Sequence, residues 1–134
     1  KSNKIEEIES IWIIGLRGAF KSSENKKIVV ELMGWAEKIS SLTRDEQKQF
    51  LEFGSNLIRS ALVVNYKAKE ASYYYSFNNF NVEKLAPFIH SKNILKIINL
   101  IDKTHYEISR NANVKILFSN FILKIAKYLN MKEY

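Results

Sequence analysis

The chain contains no cysteine. That excludes disulfides and thiolate metal sites, and it fits a reducing cytoplasm, where we expect the protein to work. Glycine and proline are scarce, four and one in 134 residues, so there is almost no linker material. No G-x-x-x-x-G-K-[ST] loop is present, which removes that route to cradling a nucleotide triphosphate. No apolar run approaches the roughly 18–20 residues that span a membrane. The opening KSNKIEEIES lacks the apolar core of a signal peptide. It also lacks an initiator methionine, so the chain reads as a fragment of something longer. Arginine is rare as well: only Arg17, Arg44, Arg59 and Arg110 stand among the 21 basic residues.

The scarcity of arginine bears on the net charge of +7. A basic balance ordinarily suggests nucleic acid or another polyanion. Dedicated nucleic-acid sites recruit and cluster arginine forks. Here the cations are mostly lysines spread along every segment. With abundant isoleucine and asparagine, they read as the bias of an AT-rich genome and as solvated surface.

What the chain does have is helical pattern throughout. Apolar residues make up 46% and aromatics 13%, enough for a core in a single domain of this length. A first helix is expected over Lys4–Phe20, with Ile5, Ile8, Trp12, Leu16 and Ala19 on one face. IWIIG (11–15) could pass for a short strand, but its flanks are helical and it has no partner. Gly18 and KSSENKK form a connection. Ser23 is a plausible cap for a second helix carrying Ile28, Leu32, Trp35, Ile39 and Leu42. Thr43-Arg-Asp-Glu46 has the form of a capping box and should open the longest helix, about 43–69. Phe50, Phe53, Leu57, Ile58, Ala61, Val64 and Tyr66 form its apolar side. Ser72 to Asn81 reads as an aromatic-rich loop. Asn81 is placed as the cap of a short helix containing Pro87, which should kink or end it. Ser91 should start the next helix, with Ile94, Ile98, Ile101, His105 and Ile108 in register.

The most informative stretch runs from Ile108 to Leu129. Asn111 suits the left-handed closure of one helix, and Asn113 suits the cap of the next. Val114, Leu117, Phe118, Phe121, Ile122, Ile125 and Leu129 then form one apolar stripe. Ile116 and Leu123 lie seven residues apart on another face, together with Lys127. An apolar residue left over on a second face either costs solubility or meets a partner. Ile116, Leu123 and Lys127 are therefore the first candidates for a partner contact. The aromatic loop with Tyr73, Tyr74 and Tyr75 is the second. That loop could pack over a helix end, form a protein contact, or stack bases.

Candidates for chemistry are few. His90 and His105 lack the two-histidine, carboxylate geometry of a zinc helix. His105 has Asp102 three residues before it but shares its face with Ile101 and Ile108, which suits a satisfied, partly buried histidine. His90 reads as a boundary residue. No serine sits in a nucleophile elbow. Carboxylates such as Glu6, Glu7, Asp45 and Glu46 sit at helix starts, where the helix dipole stabilises them. We expect no catalytic residue, cofactor, metal or small-molecule substrate.

Three blocks resemble a known family. YEISRNANVKILF (Tyr106–Phe118) is similar to the end of the delta-prime subunit of the bacterial DNA polymerase III clamp loader, in its Bacteroidetes form. TRDEQKQFLEFGSNLIRSALVVNY (Thr43–Tyr66) resembles the central helix of that subunit's C-terminal domain, and KLAPFIHSKNI (Lys84–Ile94) its Ala-Pro-Phe break. The resemblance covers roughly residues 5–134. These blocks are packing and turn motifs, so they point to a family more than to a mechanism. The resemblance implies an all-α bundle of five to six helices, the collar domain, spanning 1–134. Its partners would be the other clamp-loader subunits, with DNA reached only through the assembled complex. The ATPase modules would lie before residue 1, leaving no enzymatic activity in this part. The alternative is a stand-alone basic helical module that binds nucleic acid.

Overall fold

The computed structural model describes residues 7–12, 14–16, 27–67, 85–110 and 113–132. Among them there is no strand, and the fold is all-α. Residues 7–12 and 14–16 are helical. Then follow α1 (Lys27–Ser40), α2 (Arg44–Lys67), a 3-10 turn (Ala86–Phe88), α3 (Ile94–Ser109) and α4 (Val114–Leu129). Helix α4 packs on α1 and α3, α3 packs on α2, and the 3-10 turn sits against α2.

An aromatic cluster joins the helices at the centre. The Trp12 ring stacks on Phe50 at 4.7 Å between centroids and meets Trp35 and Phe121 edge-on, each at 6.0 Å. Phe118 and Phe121 complete the cluster from α4 with edge contacts to Phe50. Such pairs add about 0.5–1.5 kcal/mol each to what burial alone contributes. Both indole N–H groups are satisfied by helix carbonyls: Trp12 donates to Phe50 O and Trp35 to Ile11 O. The rings come so close to neighbouring helices because glycine lies beneath them. A Cβ on Gly54 would stand 2.1 Å from Trp12 Cζ2, and one on Gly15 would stand 2.2 Å from Trp35 Cε2.

The first segment is helical at Ile11, Trp12 and 14–16, so IWIIG is not a strand. The expected core residues Ile8, Trp12, Leu16, Leu32, Trp35, Ile39, Phe50, Leu57, Ile58, Ala61 and Val64 are buried. Phe53 and Leu42 are half-buried against them. The readings for Ile5, Gly18, Ala19, Ser23, Ile28, Tyr66, the 72–81 loop, Asn81 and Asn111 lie outside the described residues or side chains.

Local chemistry sets the corners. Thr43 Oγ1 accepts from Glu46 N at 3.2 Å and Glu46 Oε1 accepts from Thr43 N at 2.9 Å, the reciprocal pair of a capping box. Buried Gln47 donates to the carbonyls of Ile39 and Leu42, so the turn between α1 and α2 is tied from inside. Arg44 reaches across to Ile108 O at 2.7 Å. It places a cation on the last turn of α3, where free carbonyls collect negative charge.

Two expectations need correction. The helix expected from Ser91 begins at Ile94, and 91–93 form a turn. The buried stripe of α3 is Ile97, Leu100, Ile101, Thr104 and Ile108, not the expected row through Ile94, Ile98 and His105. The segment is apolar at 94, 95, 97, 98, 100 and 101, so periodicity alone allows more than one face inward. Thr104 takes the core position because its hydroxyl donates to Leu100 O at 2.7 Å. An imidazole there would need a partner in an apolar layer.

Candidate partner-binding face

Helix α4 buries one side in the core and exposes apolar residues on the other. Asn113 opens it: its backbone is extended and its side chain accepts from Ile116 N at 3.2 Å. The inward side is sealed, with Phe118, Phe121, Ile122, Ile125, Ala126 and Leu129 buried. Val114 and Leu117 of the expected stripe are half-buried at its edge. The outward side presents Ile116 at 68% exposure and Leu123 at 44%. Asn120 and Lys127 are exposed between and beyond them. The positions 116, 120, 123 and 127 follow i, i+4, i+7, i+11 spacing, so they form one continuous stripe. The stripe is about 16 Å long at 1.5 Å per residue.

Helix α1 widens this surface. Ser40 Oγ lies 3.4 Å from Val114 O, and Lys115 Nζ lies 3.3 Å from Glu37 Oε1. The end of α1 therefore meets the start of α4, and the two run antiparallel. Counting back ten residues from Ser40 reaches Val30, at the level of residue 124 in α4. Val30 is 74% exposed. Gly34, one turn further along, has nothing within 4 Å of where a Cβ would be. The Lys115–Glu37 pair is two-thirds exposed on both sides and contributes little to stability.

The charge of α4 is one-sided. Lys115, Lys124 and Lys127 are its only ionisable side chains besides Tyr128, and it has no carboxylate. Ile116, Leu123 and Lys127 thus stand together on one exposed face. The other residues expected to make contacts, Tyr73, Tyr74 and Tyr75, lie outside the described residues.

Each histidine has a hydrogen-bond partner on another part of the chain. His90 is buried. Its Nδ1 lies 3.3 Å from Lys92 N and its Nε2 lies 3.0 Å from Met131 O. An acceptor at Nδ1 puts the ring proton on Nε2, which donates to the carbonyl. His90 is therefore a buried tie between the 3-10 turn and the end of α4, not merely a boundary residue. His105 sits on the flank of α3, and its Nε2 lies 3.1 Å from Glu52 Oε2 on α2. Its partner is thus Glu52, across the bundle, rather than Asp102 on its own helix. The two line a shallow groove of about 500 Å³ with Ser55, Asn56, Arg59 and Asp102. Among the described residues no group of three or more side chains could hold a metal ion, and no helix is long and apolar enough to cross a membrane.

Asn93 is the residue that pattern reading missed. It is fully buried. Its Oδ1 accepts from His90 N at 2.9 Å, and its Nδ2 donates to Phe88 O at 2.7 Å and to Tyr128 O at 2.9 Å. One amide thus closes the 3-10 turn and fastens it to the last turn of α4. The only signal in the sequence was its place six residues after Pro87, where a chain leaving a proline turn has carbonyls to satisfy.

Comparison with protein families, with curated proteins and with solved structures finds no match.

Proposed function

We propose that this chain is the collar domain of a clamp-loader delta-prime subunit, a helical oligomerisation module without catalytic chemistry of its own. The observation that carries the reading is the pair Ile116 and Leu123, two large apolar side chains exposed on a helix whose other side already completes the core. A helix needs only its inward stripe to fold into its domain. Apolar residues on the outward stripe mark a surface that another protein covers. The three sequence blocks resembling the delta-prime subunit supply the identity of that partner: the neighbouring subunits of the loader. On this reading the domain packs beside their collars in the cytoplasm, holds the assembly together above its ATPase modules, and reaches DNA only through the complex. Sliding-clamp loading during replication would depend on it through assembly alone.

The test is assembly. Ile116→Asp with Leu123→Asp should leave the isolated chain folded by circular dichroism and abolish co-purification with the co-expressed loader subunits, because charge would be buried unpaired at the contact. The milder pair Ile116→Gln and Leu123→Gln covers the case in which aspartates disturb the helix. Folded variants that still assemble would refute the reading. The rival, a nucleic-acid module, predicts a steep fall of DNA affinity with salt, whereas a collar domain should bind free DNA weakly or not at all.

A further inference from the structure

We infer that the face formed by α4 and α1 takes an amphipathic helix whose apolar residues are flanked by carboxylates. This rests on the reading of the domain as a collar module and adds the chemistry of its partner.

The argument starts from the centre of the face. Ile116 and Leu123 are two helical turns apart and exposed. At this spacing they match apolar side chains at i and i+7 of a helix lying alongside. The stripe from Ile116 to Lys127 is about 16 Å long, which is about three turns of such a partner. Val30, at the same level on α1 and more exposed still, extends the apolar area sideways. The rim supplies the sign. Lys124 and Lys127 flank Leu123 one and four residues on, and α4 carries no carboxylate to neutralise them. Neither lysine forms an ion pair or hydrogen bond with another described residue. Lys115, by contrast, is already engaged by Glu37. A partner approaching Leu123 brings its own rim beside two cations without an acidic partner among the described residues, in a chain of net charge +7. Carboxylates at that rim are attracted, and lysines there are repelled.

Nucleic acid fits the same cations less well. Phosphate contact is made by arginine forks, lysines and polar donors around a polar centre. Here the centre is isoleucine and leucine, and α4 has no arginine. Burying two aliphatic side chains favours a protein surface.

The experiment titrates the 134-residue chain against the purified remaining loader subunits and compares wild type, the Ile116→Gln/Leu123→Gln pair and the Lys124→Glu/Lys127→Glu pair, each checked for fold by circular dichroism. Charge reversal should weaken binding by about tenfold or more, mainly through the association rate. Raising salt from about 50 to about 500 mM should weaken wild type and not the charge-reversed pair, since screening removes only an attraction that exists. If the glutamine pair loses assembly while charge reversal and salt change nothing, the collar reading stands and the acidic partner is refuted. If neither pair affects assembly, the contact is elsewhere and both fall. If wild type binds a short DNA duplex and charge reversal abolishes that binding without touching assembly, the lysines serve nucleic acid and the inference is overturned.

Discussion

Gly54→Ala should destabilise the protein although it replaces a poor helix former with the best one. Gly54 lies inside α2. In an open helix the change would stabilise by about 1 kcal/mol. At this position the new Cβ would sit 2.1, 2.6 and 2.8 Å from three atoms of the Trp12 ring. Carbon atoms rest at about 3.5–4.0 Å, so the ring must move by more than an ångström. It has little room to do so. Trp12 is fully buried, stacked on Phe50, and bonded through Nε1 to Phe50 O. Overpacking costs about 1–3 kcal/mol, and an indole N–H left unsatisfied adds about 1–3 kcal/mol. Subtracting the helix gain leaves a net loss of about 1–5 kcal/mol. Gly34→Ala is the matched control. Gly34 is an exposed residue of α1 with nothing near its Cβ position, so the same change should stabilise by up to about 1 kcal/mol. Urea unfolding followed by circular dichroism measures both. If the two variants shift the midpoint the same way, the close approach of Trp12 to α2 is not what sets the cost at residue 54.

Asn93→Ala should cost about 1–3 kcal/mol in the same assay, because it leaves the buried His90 N–H without its acceptor and removes the amide's ties to Phe88 O and Tyr128 O; an unchanged midpoint would mean that the 3-10 turn is held by other contacts. Asn113→Ala should cost about 0.5–2 kcal/mol through the lost cap of α4, visible as a lower urea midpoint with unchanged slope. Phe121→Ala should cost about 3–5 kcal/mol as a fully buried aromatic removed from the ring cluster. A loss under about 1 kcal/mol would mean that this face collapses without leaving a cavity.

Helix identity was legible wherever one stripe alone could face inward. In α4 the apolar residues on the wrong side, Ile116 and Leu123, are few enough that the stripe of Phe118, Phe121, Ile125 and Leu129 stands out. The structure places that stripe in the core. The capping box at Thr43 and the cap at Asn113 were readable because each is a local pattern of three or four residues acting on its own backbone. In α3 six of the first eight residues are apolar, and the choice of face is made by neighbours outside the window. Tertiary ties were hidden for the same reason. Asn93 reaches Tyr128, 35 residues away, and His105 reaches Glu52, 53 residues away; nothing at either end of these pairs announces the other. Val30 was overlooked although its signal was present. It lies on the side of α1 opposite Leu32, Trp35 and Ile39, as Ile116 does in α4, and only attention to residues left over would have found it.

Those leftover residues and the internal ties bear on each other. Asn93 and His90 fix the chain that follows Pro87 to the carbonyl end of α4, at Tyr128 and Met131. Arg44 fixes the start of α2 to the end of α3. Helix α4 is thus held by a cap at its first turn, polar ties at its last, and an aromatic cluster between. A surface that must meet another protein without reorganising gains from such fixation, because side chains presented on a rigid element lose less freedom on binding. The outward stripe of Ile116, Leu123 and Lys127 sits on a helix whose inward stripe is secured in this way. A loosely packed helix could turn those side chains inward and hide them. Here rotation about the axis would expose Phe118 and Phe121 and break the Asn113 cap, so the exposed pair has no route into the core. Its exposure is then a fixed property of the fold, which is what a constitutive assembly contact requires.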